Sequence, residues 1–468
     1  MRTRRPTIRI FFALALLASV LGLGSYAAAQ SPVPATDTVL HVFQGGRADG
    51  ALPAGGVVLD AKGNLYGSTT YGGNGGSACI GGSCGTVFEL SPPAQPGGAW
   101  VETILYNFTG VTHNQDGELP NGGLVMDATG NLYGVTAYGG TGGCQLLGAV
   151  DGCGSVYELS PPNAPGGTWT KTTIYSFQGG TDGDLGIGNL TFDAAGNLYG
   201  ATEYGGGFGT CNAPFYQNCG TIFKLSPPKT KGGIWTEKVL YSFKGGTDGA
   251  NPNGGLIFGK DGAIYGTTFF GGGVYLYGQL ELGCQGAGGV GCGAVFQLEP
   301  SQAADSTWSE NVLYRFQGSP EDGAAPSAGL AVDRDGNLYG TTLGGGPTGG
   351  GTLFQLVPSK VPGWPWHEIG IFRFTGASGD LPTGPVILDG QGGIYGTASA
   401  DGPYSEGSIF RLSRQGTTDW NYSVLCGFPG QQAAGPTGSL TFGSDGTLYG
   451  ISSVYKRNTN GAVFMLGK

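Results

Sequence analysis

Charge is what this chain of 468 residues has least of. Asp, Glu, Lys and Arg together make up 12% of it, about half the share usual in a globular domain. That scarcity argues against a disordered polyelectrolyte, and against a helix-rich fold, whose exposed faces draw on Glu and Lys. Histidine is almost missing, with His41, His113 and His367 alone, and no H-E-x-x-H zinc motif occurs. Beyond residue 30 no stretch approaches the ~20 consecutive apolar residues of a transmembrane helix. A basic excess is also absent. The formal net charge is −10, and it becomes −14 once a leader holding four arginines and no acid is removed. Such a chain is a poor partner for nucleic acid or for an anionic membrane surface, and better suited to a cation or a neutral polymer.

Glycine and proline are abundant instead, at 97 and 27 residues. Without a period, that share would suggest a low-complexity, disordered chain. Aromatics at 11% and hydrophobics at 39% oppose this, and so does a clear repeat. Thr, Tyr, Phe and Val among many turn residues point to an all-β protein.

Residues 1–29 read as a secretory signal peptide. A basic start ends at Arg9, an apolar run spans 10–23, and Ala27-Ala28-Ala29 provides the small-x-small cleavage pattern. Residues 30–37 are a short linker. The expected location is therefore secreted, periplasmic or cell-surface, with no membrane insertion after cleavage.

Three phrases then recur seven times each. The tyrosine of D-x-x-G-N-L-Y-G falls at Tyr66, Tyr133, Tyr199, Tyr265, Tyr339, Tyr395 and Tyr449. The aromatic of G-T-V-F-E-L falls at Phe88, Tyr157, Phe223, Phe296, Phe354, Phe410 and Phe464. A Trp-led run ending in L-Y-S-F places its Phe at Phe43, Phe108, Phe177, Phe243, Phe316, Phe374 and Phe428. Each unit reads as four short strands, which at this period matches a propeller blade. The first phrase in the chain is a strand four and the last is a strand three. The expectation is thus an all-β, seven-bladed β-propeller of four antiparallel strands per blade over residues 38–468, its last blade closed by the N-terminal strand and its edges thereby protected. The tryptophans that open strand four, Trp100, Trp169, Trp235, Trp308, Trp366 and Trp420, read as repeated packing residues.

The run G-G-L-V-M-D-A-T-G-N-L-Y-G at 122–134 and the run L-Y-S-F-K-G-G-T-D-G-A-N-P-N-G-G-L at 240–256 resemble the Gloeo/Verruco (GloVer) tandem-repeat proteins of bacteria. The resemblance covers nearly all of 38–468. It implies an exported, surface-associated protein, often carrying a C-terminal anchoring tail, and no enzymatic activity. No such tail follows the last repeat here, so the expectation is a released protein or one held by other means.

Eight of the nine cysteines form local pairs, Cys79 with Cys84, Cys144 with Cys153, Cys211 with Cys219 and Cys284 with Cys292. Each pair lies between strands two and three of repeats one to four, and in an exported chain reads as a disulfide rather than a thiolate metal site. Cys426 stands where other repeats carry the Tyr of L-Y-S-F, and reads as a buried inert thiol.

Functional signals are fewer. The loops after strand four carry Asp49, Asp116, Asp182, Asp248 and Asp322 in G-G-x-D-G contexts, with Asp380 shifted in register. Calcium takes carboxylate and carbonyl oxygens, so these are candidate ligands; Asp-Gly is also ordinary turn chemistry, and that reading is preferred. No other cofactor is expected. Asp333-Arg334-Asp335-Gly336-Asn337 begins like a calcium loop but aligns with the hairpin turns. Longer inserts in repeats three and four carry Phe208, Phe215, Tyr216, Tyr275 and Tyr277, flat rings of the kind that recognise sugars or proteins. The leading expectation is a monomeric, non-catalytic module binding carbohydrate or a cell-surface protein. An extracellular polysaccharide-active or lactone-active enzyme is the alternative, with Glu118, Asp184, Glu203 and Glu281 as its non-repeated acids. A structural envelope protein is the third reading.

Overall fold

The structure is a computed structural model. It describes residues 37–467, apart from 75–78, 80–82, 96, 111–115, 147–148, 151, 165, 208–210, 212–217, 231, 274, 277–278, 281–283, 287–288, 301–307, 362–364, 417–418, 430–433 and 454–459. The signal peptide and most of the linker lie outside this range. Among the described residues the chain is all β, with no helix, and folds into small antiparallel sheets in a propeller-like arrangement.

The first repeat sets the pattern. Gly50–Leu59, Leu65–Gly72, Thr86–Ser91 and Val101–Asn107 pair antiparallel in chain order. The third repeat does the same with Asp184–Phe192, Leu198–Tyr204, Thr221–Ser226 and Thr236–Ser242. In the second and fourth repeats strand one is broken in two, as Gly117–Pro120 and Val125–Met126, and as Gly249–Pro252 and Ile257–Phe258. At the chain ends Asp37–Val42 pairs antiparallel with Ala462–Leu466, so the N-terminal strand completes the sheet of the seventh repeat.

Each recurring phrase has a packing reason. In D-x-x-G-N-L-Y-G the Asp closes the hairpin. Asp127 Oδ1 accepts from the amides of Thr129 and Asn131 at 2.8 and 2.9 Å, and its Oδ2 accepts from Asn131 Nδ2 at 2.8 Å and from the Tyr133 hydroxyl at 3.2 Å. Asp333 makes the equivalent bonds to Asp335, Asn337 and Tyr339, as the hairpin reading of that segment expects. The Gly after that Tyr lies under the strand-three ring. A Cβ on Gly67 would come within 2.5 Å of Phe88, and one on Gly340 within 2.5 Å of Phe354.

The strand-four Phe belongs to the contact with the next repeat. Phe43 meets Phe88, Phe108 meets Tyr157, Phe177 meets Phe223 and Phe243 meets Phe296, all with ring centroids 5.1 or 5.2 Å apart. The series continues through Phe316 and Phe354, Phe374 and Phe410, and Phe428 and Phe464, each at 5.1 Å. Both partners are buried at every step. Tryptophans also bridge repeats: Trp169 lies 6.0 Å from Tyr66 and Trp235 6.2 Å from Tyr133.

All four expected disulfides are formed, and Cys426 is buried and belongs to no disulfide. The second cysteine of each pair anchors the following repeat through its carbonyl. It accepts from Leu119 at Cys84, Leu185 at Cys153, Asn251 at Cys219 and Ala325 at Cys292, over 2.7–3.0 Å. Those four donors all have left-handed backbone, φ 54–62°, a conformation that L-residues adopt only under constraint.

Candidate functional site

The turn inside or beside strand one brings seven equivalent residues to one cavity of about 550 Å³. They are Ala54, Asn121, Ile187, Asn253, Ser327, Thr383 and Thr437, and all but Ile187 follow a proline. Glycines such as Gly55, Gly122, Gly188 and Gly254 line it beside them, which leaves room between the converging backbones. No carboxylate, imidazole, ammonium or guanidinium lines it among the described residues. Asn189 Oδ1 accepts from the Gly123 amide at 2.6 Å and so ties the third repeat to the second. Ser327 Oγ and Thr383 Oγ1 are fully covered and have no hydrogen-bond partner in the protein. Tyr71 also lines the cavity, and it packs with Tyr138 and Tyr204 around Leu119, Ala137, Leu185 and Ile187. Strand-one residues such as Val125, Thr191 and Ile257 line the cavity beside these turns.

Glu118, Asp184 and Glu203 do not line this cavity. Asp184 and Glu203 lie within electrostatic reach of one another. Burial, with the Glu203 charge behind it, pushes Asp184 up to about 6, and burial raises Glu203. Glu118 is buried as well. Glu281, Phe208, Phe215, Tyr216 and Tyr277 lie outside the described residues; Tyr275 is described only as part of the two-residue strand Tyr275–Leu276.

The loop aspartates are engaged by their own repeats. Asp322 accepts from the amides of Gln317 and Gly323 at 2.7 and 2.6 Å and from the Tyr314 hydroxyl at 3.0 Å. Asp248 has the same three partners in Tyr241, Lys244 and Gly249. Asp116 accepts from Tyr106 and Thr109, and Asp182 from the Gln178 amide at 2.7 Å. The Tyr of L-Y-S-F therefore clasps the Asp of the following loop. A residue from the next repeat, six positions before its strand-four Phe, reaches the same place. It is Glu237 beside Asp182, Glu310 beside Asp248 and Glu368 beside Asp322. Burial first, and the neighbouring aspartate second, pushes each glutamate up to about 7.

Two of these junctions differ. Beside Asp116 the equivalent residue is Lys171, whose Nζ bonds Asp116 Oδ1; both side chains are 6% exposed. Beside Asp49 the residue is Glu102, and His41 replaces the tyrosine. His41 Nε2 lies 3.6 Å from Asp49 Oδ1 and 3.6 Å from Glu102 Oε2. Burial opposes the imidazolium, but the two acids outweigh it and raise His41 above its ordinary value; burial and then Asp49 push Glu102 up to about 7. These three groups could together ligate a metal ion. Cys144, Cys153 and Asp184 also cluster, but the two sulfurs are bonded to each other.

The profile of the Gloeobacter/Verrucomicrobia repeat matches residues 30–281 and 275–467. The chain belongs to that family. No curated protein matches the sequence. Solved structures of similar shape include a Trichoderma reesei carbohydrate-active enzyme, at 13% identity over 95% of this chain and 98% of that one, TM-score 0.42. An ulvan lyase, described as a polysaccharide lyase, is similar at 10% identity over 92% and 96%, TM-score 0.49. A glucose dehydrogenase is similar at 14% identity over 92% and 99%, TM-score 0.42.

Not every junction of this Gloeobacter/Verrucomicrobia repeat protein uses the tyrosine–aspartate clasp. Between the fifth and sixth repeats Phe372 replaces the tyrosine and stacks on Tyr422, with centroids 4.0 Å apart and planes 1° from parallel. Ser378 takes the aspartate's part, its Oγ accepting from the Thr375 amide at 2.9 Å, while the Tyr422 hydroxyl donates to the Ser378 carbonyl at 2.7 Å. Tyrosine and loop aspartate are thus lost together, as at Cys426, after which no G-G-x-D-G follows.

Proposed function

We propose that the seven repeats close into one seven-bladed propeller over 38–468, exported after removal of 1–29, which acts as a non-catalytic module binding a neutral, hydroxyl-rich ligand, a carbohydrate, in the axial cavity. Closure is supported by the pairing of Asp37–Val42 with Ala462–Leu466 and by the unbroken series of aromatic contacts from Phe43–Phe88 to Phe428–Phe464. Four disulfides accord with an oxidising compartment. The observation that carries the binding reading is the pair of covered, unpartnered hydroxyls, Ser327 Oγ and Thr383 Oγ1, in a cavity lined also by Asn and Thr side chains, glycines, Tyr71 and aliphatics such as Val125, Ile187 and Ile257. Buried polar atoms require partners, and sugar hydroxyls both donate and accept. A cavity whose lining, among the described residues, carries no charged side chain matches a neutral ligand.

The test is a glycan and polysaccharide array on protein beginning at Gln30, read for binding and for released product. Binding without product, weakened at least tenfold in a Ser327→Ala, Thr383→Val variant, is expected. Product release overturns the non-catalytic reading, and retention of binding in the variant moves the site elsewhere. Binding to no glycan removes carbohydrate as the ligand.

A further inference from the structure

The junction between the N-terminal strand and the first repeat differs from the others in the kind of group it gathers. At the next junction the chain places its own cation, Lys171, between Asp116 and the rings of Tyr106 and Phe108. At Asp49 the equivalent of Lys171 is Glu102, and His41 stands where Tyr106 stands. One imidazole and two carboxylates then face one point from three separate segments.

The distances discriminate between readings. His41 Nε2 is 3.6 Å from each carboxylate oxygen, too far for a hydrogen bond. All three ligand atoms lie within 4.8 Å of one another. Bonds of about 2.1 Å to a tetrahedral ion put neighbouring ligand atoms about 3.4 Å apart, close to the two distances from His41. His41 Nε2 and Glu102 Oε1 are both covered and without hydrogen-bond partners. Asp49 is held for the task by the amides of Gln44 and Gly50, each at 2.6 Å, so its carboxylate is fixed and one lone pair of Oδ1 remains. Mixed imidazole and carboxylate donors favour a borderline divalent ion such as zinc over calcium, which takes oxygen alone.

We infer that His41, Asp49 and Glu102 form a site for one divalent transition-metal ion, with zinc as the representative ion, a water taking the fourth position. The site joins Asp37–Val42, already paired with the C-terminal strand, to Val101–Asn107 of the first repeat. Bound metal therefore clamps the place where the two ends of the chain meet. At the second junction the Lys171 ammonium, by an ion pair with Asp116, fills the place that the ion fills at the first.

The repeats themselves supply the control variants. His41→Tyr installs the residue found at Tyr106, Tyr241 and Tyr314, and Glu102→Lys installs the one found at Lys171, so both have precedent in this fold. The untagged full-length mature chain is stripped with chelator and titrated with zinc chloride by calorimetry, followed by thermal unfolding and by amide exchange at 40–42. One zinc per chain, a raised Tm and slower exchange at those amides are expected. Both variants should fold with the far-UV spectrum of the parent and bind zinc at least 100-fold more weakly. Zinc uptake by the variants equal to that of the parent, or no uptake by the parent at 100-fold molar excess, overturns the proposal. Retained glycan binding with lost zinc binding separates this site from the axial cavity.

Discussion

Repeats one to four and repeats five to seven build the same joint between neighbours from different materials. In the first group a cystine loop presents the carbonyl that holds the next repeat's left-handed residue, as Cys153 holds Leu185. In the second, Gly350 holds Leu381 at 2.9 Å and Asn460 holds Leu52 at 2.7 Å with no disulfide present. The geometry does not depend on the bridge, so the bridge acts chiefly on the unfolded loop. The outer part of the joint divides in a similar way. The junctions that follow repeats two to four bury ionisable pairs, such as Asp248 with Glu310, whereas the fifth repeat meets the sixth through stacked Phe372 and Tyr422. The junctions after repeats two to four thus combine a disulfide with an ionisable pair, the fifth repeat meets the sixth by apolar burial, and the seventh meets the first through His41, Asp49 and Glu102.

The contrast is broken most severely on the apolar side. Tyr422→Ala removes a fully buried ring from its stack and should cost about 3–5 kcal/mol in urea unfolding. On the polar side, Lys171→Met leaves Asp116 buried without its cation, and a loss of about 3 kcal/mol is expected in the same measurement. Replacing both Cys144 and Cys153 by serine should cost ~2–3 kcal/mol by the chain-entropy argument. The Leu185 amide should stay protected in the folded state, since its bond to the carbonyl at 153 does not need the sulfurs. Loss of that protection under native conditions would show that the bridge shapes the folded loop after all.

The smallest effect is the pH profile. Glu310 and Glu368 are raised from 4.5 to about 7 in the folded chain, so the folded state binds protons that the unfolded state has released. Their contribution is fully present below pH 4.5 and is lost as pH rises through about 7. Asp127, Asp193 and Asp333 have the opposite sign. Burial pushes them up, but hydrogen bonds from Asn131, Asn197 and Asn337 outweigh it and hold them below 3.8, so their contribution is lost as pH falls beneath that value. Stability should peak between these limits. Glu310→Gln and Glu368→Gln should each flatten the decline toward pH 8 by about 1 kcal/mol after solvent screening, as read from urea midpoints at pH 5 and pH 8.

The sequence made the local features legible and left the junctions between repeats obscure. The hairpin at Asp333, the four cystines and the oddity of Cys426 follow from phrases that can be read within one repeat. Glu310 could not be read so, because its partner Asp248 lies in the loop before its own repeat, and a glutamate on a strand edge is unremarkable until the neighbour is in place. A clue existed in the joint loss of tyrosine and aspartate at Phe372 and Cys426. It gains meaning only once the tyrosine is known to hold the aspartate. Ser327 and Thr383 were hidden differently, since a serine or threonine after proline looks like a turn residue until seven such turns meet.

The pairing of Asp37–Val42 with Ala462–Leu466 also has a temporal consequence. Asp37–Val42 must wait for Ala462–Leu466, made far later, before its sheet is whole. Contacts of such long sequence separation form slowly, and until they do the seventh repeat exposes an unfinished edge.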